Sequence, residues 1–501
     1  MGKPIELLSK SIFEKPFMDS KVKTKEVSKS ERILGHLIGP LGLIFVVNTI
    51  AALVEKFFTQ QTGAMYGTEN VAMIQQMGGY YEIVMTAAKL GAVLIGLLNG
   101  WLMQHTKSRQ GRMRPWYLIF GFMSIAIGFL IFLFPGNTLG ESYWFYFFVL
   151  LIAYHTVGSC YFYLFRDTIC SISTRDEKEK TQLQFIRKLS WTLISGIIIG
   201  MVINMVVLPM WLEHDINGYA VLMIGLSIVA IPLLLMEYFF TKERIIEDVN
   251  ATNAKNDIPL KDQMKALLSN KYFLIFTILM TIGGIVDNFK GGNVQYFYIK
   301  FMLGGEENPF MYTIYQVLTG VPLGVGAMIA YPIARKLGIR NFTMVGFAFV
   351  LLGSILGWMF PTHTTIAMVA GFLRQMGMIP SLYITATLLC FAYDSVEHKS
   401  GLRLEGLMGT AIIAAIQAAI WAPFAGGYEA TILKLGFVDI AGVTPSAEVL
   451  SFMTMAFYLF DIILAVAYLA LLPFMDVEKH MPQITADLEA RKRETQENVT
   501  E

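Results

Sequence analysis

Ionisable side chains stand inside apolar runs long enough to cross a bilayer, where a charge is costly and must face protein or water. They are Lys89, the neighbours Arg166 and Asp167, Asp287 with Lys290, and Arg374. Asp287 and Lys290 are three residues apart, which puts them on one helical face where each can neutralise the other. Around them the chain reads DNFKGGN, a polar, glycine-bearing stretch that permits close backbone approach or a helix break at membrane depth. The chemistry open to this set is charge-assisted binding of an anion and proton exchange at a carboxylate, with no bond made or broken. Arg166 and Asp167 are close to one end of their run and Lys89 lies in the outer third of its own. For these three, snorkelling or a structural ion pair is an equal alternative.

The elements that must hold these residues are membrane helices. The chain of 501 residues is 55% hydrophobic and 15% charged, against about a quarter charged in a soluble domain. Apolar runs of crossing length fall at about 33–58, 83–103, 115–134, 143–172, 189–210, 219–240, 272–302, 311–333, 342–360, 364–391, 406–426 and 449–475. Lys107, Arg109, Arg112 and Arg114 follow the second run, and further cations follow the fourth, sixth, eighth and tenth. The alternate connections, such as PGNTLGE and GGEEN, are nearly free of cations. That asymmetry places both termini in the cytoplasm. The reading is an all-α membrane protein of twelve helices in two six-helix bundles around a central cavity. Its divisions are a cytoplasmic segment 1–32, a bundle 33–240, a middle loop 241–271, a bundle 272–475 and a tail 476–501 that carries at most one short surface helix. The stretch 60–82, with Tyr66 and Gly78-Gly79, reads as an ordered flap or a plain linker. Cys160, Cys170 and Cys390 show no disulfide or metal spacing and read as small core residues. A net charge of +1 implies no nucleic-acid partner, and no signal-peptide pattern precedes the first run.

The segment from Gly100 to Trp116, containing TKSRQGRMRPW, resembles the loop signature between the second and third helices of the glycoside-pentoside-hexuronide:cation symporters, the group of melibiose permease. RDEKEKTQL, TKER, SNKYF and AYDSVEHKSGLRLEGLMGT are similar to further segments of that family. The resemblance implies a major-facilitator-type fold and a glycoside, pentoside or uronide moved with a cation. Counted from Gly100-Trp101, the family's span-two cation-binding carboxylates fall on Ala92 and Gly96, which offer no side-chain ligand. Its sugar-binding carboxylates fall on Ile44 and Tyr163 and its span-eleven lysine on Gln417, while the basic residue of span two persists as Lys89.

Lost carboxylates and retained cations favour an acidic ligand. The substrate-binding set is therefore Lys89, Tyr163, Arg166, Lys290, Arg374, Asn48 and Gln417, with Asp287 and Asp167 as coupling groups. Arg109, Arg112 and Arg114 are expected to form a cytoplasmic gate with Asp394, Arg403 and Glu405, where cations can pair with carboxylates and cap helix ends. The function implied is secondary import of an acidic glycoside such as a hexuronide across the inner (plasma) membrane by a monomer, with protons favoured over sodium. An ion-independent facilitator, an amphiphile or lipid carrier and a non-transporting receptor or scaffold are the alternatives. No enzyme activity, cofactor or metal is implied, and no phosphate loop for ATP is present.

Overall fold

The computed structural model describes residues 7–8, 11–15, 26–106, 108, 110–111, 113–133, 139–140, 142–161, 168–174, 179, 182–183, 186–187, 190, 202–203, 206–208, 210–212, 215–244, 259–291, 293–308, 310–383, 386–401, 408–439 and 443–500. In chain order the first helices are α1 (Gly39–Tyr66, entered through a π-helical stretch Glu31–Ile38), α2 (Val71–His105), α3 (Arg114–Leu133), α4 (Ser142–Tyr161) and α5 (Gly218–Phe240). Then come α6 (Leu260–Ser269), α7 (Lys271–Lys290), α8 (Val294–Met302), α9 (Phe310–Leu337), α10 (Ile339–Met359) and α11 (Thr364–Tyr383). The last are α12 (Ala386–Ser400), α13 (Met408–Trp421), α14 (Gly427–Lys434), α15 (Ala447–Leu471) and α16 (Val477–Thr500).

Local sequence explains several of these starts and stops. Pro40 sits in the first turn of α1, where its missing N–H costs nothing. Asn270 caps α7 by accepting from the N–H groups of Tyr272 and Phe273, and Ser446 caps α15 by accepting from Val449. The apolar run at 272–302 is not one helix. It stops at Lys290, passes Gly291 at φ 59° and resumes at Val294, so the polar DNFKGGN stretch does break the span.

Among the described residues, seven helical stretches are long and apolar enough to cross a membrane, and Ser142–Gly158 forms a shorter apolar helix. Helices α2, α9 and α13 lie along further runs expected from the sequence. The fifth run, 189–210, falls largely outside the described residues.

By contacts the chain divides into two units, 1–256 with 425–444 and 257–424 with 445–501. The sequence reading assigned 425–444 to the second bundle, yet its contacts are with the first. Helix α14 packs on α2 at Gly78, where an added Cβ would lie 2.7 Å from the Ala430 carbonyl oxygen. Lys56 Nζ of α1 lies 2.6 Å from Asp439 Oδ2, both side chains buried, and Lys434 pairs with Glu82. Burial, then the nearby Glu429 and Asp439 carboxylates, raise the Tyr428 hydroxyl well above the usual phenol range, so it stays a neutral donor. The stretch 60–82 is no flap either, because α1 continues to Tyr66 and α2 begins at Val71. At the other end of this unit a buried Arg187–Glu237 pair at 2.6 Å also takes in the Tyr117 hydroxyl, and Arg187 faces His36 Nδ1 at 3.3 Å.

In the second unit α10, α11 and α15 pack together, with Phe347 stacked on Tyr468 at 3.8 Å between centroids. The tail is a long helix fastened to this unit. Glu478 accepts from the first N–H groups of α10, on Ile339 and Arg340, and His398 contacts Asp487 at 2.8 Å. The hydrogen bond from Lys271 holds the Asp476 carboxyl down at about 2. A depressed carboxyl stabilises above its unfolded pKa of about 4, so this clasp loosens only as pH falls toward its folded value. Cys390, expected in the core, is exposed.

Removing Lys56 alone takes from the buried Asp439 the ammonium it meets. Lys56→Ala is expected to cost about 3–5 kcal/mol in thermal unfolding, and Lys56→Met with Asp439→Leu to recover most of that loss. Equal losses in the single and double variants would contradict a buried pair.

Candidate functional site

Three of the charges at membrane depth converge in the second unit, and one was absent from the sequence set. Lys290, at the last turn of α7, donates to Asp461 Oδ1 of α15 at 2.5 Å and to the Phe457 carbonyl at 3.1 Å. Arg374 of α11 donates through Nη2 to the other oxygen of Asp461 and to the same Phe457 carbonyl at 3.2 Å. A single carboxylate is thus shared by two cations. Their side chains are 15%, 14% and 11% exposed for Lys290, Arg374 and Asp461, so the cluster is sheltered but accessible. The Nε of Arg374 is buried and has no hydrogen-bond partner among the described residues.

The helices explain why this geometry forms. Phe457 and Asp461 are one turn apart on α15, so one helical face offers both the carbonyl and the carboxylate. The break after Lys290 ends α7 with its ammonium at a helix C-terminus, where free carbonyls favour a cation. On α10, Gly353 and Gly357 leave room for the neighbours: an added Cβ would lie 3.1 Å from Arg374 Cγ and 2.3 Å from the Tyr458 ring. Aromatic rings wall the cluster. Arg374 lies over Phe457 at 4.3 Å and near Tyr458 at 5.2 Å. Phe457 stacks on Tyr298 at 4.3 Å, and the Tyr298 and Tyr458 hydroxyls are 3.0 Å apart. Tyr298 donates to the Pro361 carbonyl at 2.5 Å.

The expected Asp287–Lys290 pair is therefore corrected. Asp287 is exposed on α7, and the ion-pair partner of Lys290 comes from α15. Asp461 of α15 meets the ammonium directly, and no ion pair joins Asp287 to Lys290 among the described residues. Gln417 is used within the scaffold, donating to the Thr277 carbonyl and Thr281 Oγ1 of α7. Asn48 is half-buried on α1, and Ile44 is buried in the core. Lys89 lies half-buried on α2 of the first unit. Tyr163, Arg166 and Asp167 lie outside the described residues.

Of the expected gate, Arg109, Arg112, Arg403 and Glu405 also lie outside the described residues, and Asp394 is half-buried on α12. Arg114 is buried, donates to the Tyr238 carbonyl at 2.5 Å and lies over the Tyr238 ring at 4.6 Å. These contacts fasten α3 to α5.

Sequence reasoning missed Asp461, together with Glu55, Lys56 and Glu237. A signal for Asp461 was present: it is the lone acidic residue in SFMTMAFYLFDIILAVAYLALL. Its partners lie 171 and 87 positions away, beyond any spacing rule.

The shared carboxylate sets an order of stability. Asp461→Ala leaves two sheltered cations facing one another and is expected to cost about 3–5 kcal/mol, whereas Lys290→Ala leaves the Arg374–Asp461 pair intact and should cost clearly less. Thermal unfolding of the purified variants checks this, and the reverse order would refute the sharing.

Comparison with known proteins fits these observations. The family described as MFS/sugar transport protein matches residues 35–479. The isoprimeverose transporter of Lactiplantibacillus pentosus is 25% identical over 80% of this chain and 81% of its own. The raffinose carrier protein of Pediococcus pentosaceus is 22% identical over 88% of this chain and 69% of its own. A crystal structure of a D-xylose-proton symporter superposes with a TM-score of 0.61 at 13% identity, covering 90% of this chain and 99% of that one, which is a likeness of fold. A multi-pass all-α chain matched by the family over nearly its whole apolar length is a transport protein, not an enzyme, and it belongs to the MFS/sugar transport protein family.

Proposed function

We propose that this chain is a secondary importer of a glycoside carrying an acidic group, a hexuronide being the model case, and that protons rather than sodium drive it. The family makes it a sugar or glycoside transporter working by alternating access. The finer reading rests on one observation, the two cations that share Asp461. The cluster carries a net positive charge while Asp461 is ionised, and protonating Asp461 frees both cations for a ligand carboxylate. The partnerless Nε of Arg374 offers a further donor, and Phe457, Tyr298 and Tyr458 offer faces on which a pyranose ring can stack.

In this reading Lys290 and Arg374 bind the acidic group and Asp461 carries the coupling proton. Asp287, exposed on the same helix as Lys290, and Asp167 are further coupling carboxylates. Lys89 contributes from the first unit. Ala92 and Gly96 supply no carboxylate where the resembled symporters bind their cation, so sodium has no familiar site. The cation-rich connections put both termini in the cytoplasm of a plasma-membrane protein, with Arg109, Arg112, Arg114, Asp394, Arg403 and Glu405 as the cytoplasmic gate. The names of the relatives favour a second reading, a neutral pentose- or galactose-type oligosaccharide as substrate.

Uptake into proteoliposomes from a panel of neutral and acidic glycosides separates these readings. An inward proton gradient is expected to accumulate the acidic member, and saturating sodium to leave its affinity nearly unchanged. Tightening by sodium of about tenfold, or about 1.4 kcal/mol of coupling, would contradict proton drive. Accumulation of neutral glycosides alone would overturn the acidic substrate.

A further inference from the structure

Helix α6 ends one residue before the membrane-crossing α7 begins, with Asn270 between them. It is amphipathic: Gln263 and Leu267 are buried, while Leu260, Leu268, Lys261 and Lys265 are exposed. A short helix with exposed leucines beside lysines, at the mouth of a span, suits the boundary between headgroups and acyl chains. Alongside it opens a cleft of about 290 Å³, lined by Asp262, Lys265, Ser269 and Asn270 and by Lys399 and Ser400 at the end of α12.

The cleft has the composition of an anion site. Two lysines from two helices face one carboxylate, and neither ammonium has an ion pair or hydrogen bond among the described residues. Nearby opposite charges are answered elsewhere in this unit, as in the clasp of Lys271 on Asp476. The Ser269 and Ser400 hydroxyls at the rim donate to their own helices, to the Ala266 and Val396 carbonyls. Asn270 is fixed from behind, donating through Nδ2 to Ser395 Oγ at 3.0 Å while its Oδ1 caps α7, so the floor of the cleft is rigid.

We propose that this cleft is a lipid site, in which Lys265 and Lys399 hold the phosphodiester of an anionic phospholipid while Leu260 and Leu268 lie along its acyl chains. The charge complementarity selects a phosphate-bearing ligand, and the exposed leucines beside it select a ligand with an apolar body over free phosphate. The site lies apart from the Lys290–Asp461–Arg374 cluster and is independent of the substrate and coupling ion assigned above. Bound lipid would tie α6 to α12 at the point where α7 enters the membrane.

The test uses the full chain purified in a neutral detergent and native mass spectrometry with phosphatidylglycerol, phosphatidylcholine or millimolar inorganic phosphate added. Phosphatidylglycerol is expected to bind selectively and to resist displacement by phosphate. Lys265→Ala with Lys399→Ala should weaken it about tenfold. Lys336→Ala with Lys479→Ala removes the same charge outside the cleft and should leave binding as in the parent. Thermal unfolding in the same detergent without lipid should match the parent for both variants, and if the alanine pair unfolds early, Lys265→Gln with Lys399→Gln takes its place. Unchanged phosphatidylglycerol binding in the cleft variant would overturn the proposal. So would an equal loss in the outside variant, or full displacement by phosphate.

Discussion

One carboxylate placed between two cations governs the second unit. Asp461 accepts from Lys290 and Arg374 at once, and removing ions from water is tolerable only because each charge meets its opposite with hydrogen bonds in good order. Much of the surrounding sequence serves that meeting. The break after Lys290 brings an ammonium to the end of α7, Gly353 and Gly357 let α11 and α15 approach α10, and the Phe457 carbonyl accepts from both cations. With two positive groups on one negative one, the cluster carries a net positive charge while Asp461 is ionised.

The first unit uses buried charge differently. Lys56 and Asp439 are sealed from solvent, and the chain that carries Asp439 is flanked on both sides by residues of the second unit. The buried pair, with the close passage of Ala430 over Gly78, fastens 425–444 to α1 and α2. A fully buried pair is poorly suited to exchange with a ligand, so this one serves to hold the segment in place within its unit.

The membrane-crossing helices were legible in the sequence because the hydrocarbon imposes length and apolarity on every residue of a span, and that signal is local. The break in the run at 272–302 was legible for the same reason, since DNFKGGN departs from the local rule. Pairing was not. Asp287 and Lys290 satisfy the helical spacing, but Lys290 pairs with Asp461 of α15 and Asp287 is exposed. Partners for Lys56 and Arg374 also come from distant parts of the chain, and no periodicity encodes which segments meet. Gln417 shows the opposite failure: a polar residue within a span suggested a ligand contact, yet its amide is taken up by α7.

The most direct test of the central claim is the number of protons taken up or released when glycoside binds, read by titration calorimetry in buffers of different ionisation enthalpy. If Asp461 must gain a proton before Lys290 and Arg374 can accept the ligand, binding to the parent protein takes up protons near neutral pH, and binding to Asp461→Asn takes up fewer. Proton uptake of the same size in both proteins would contradict the account.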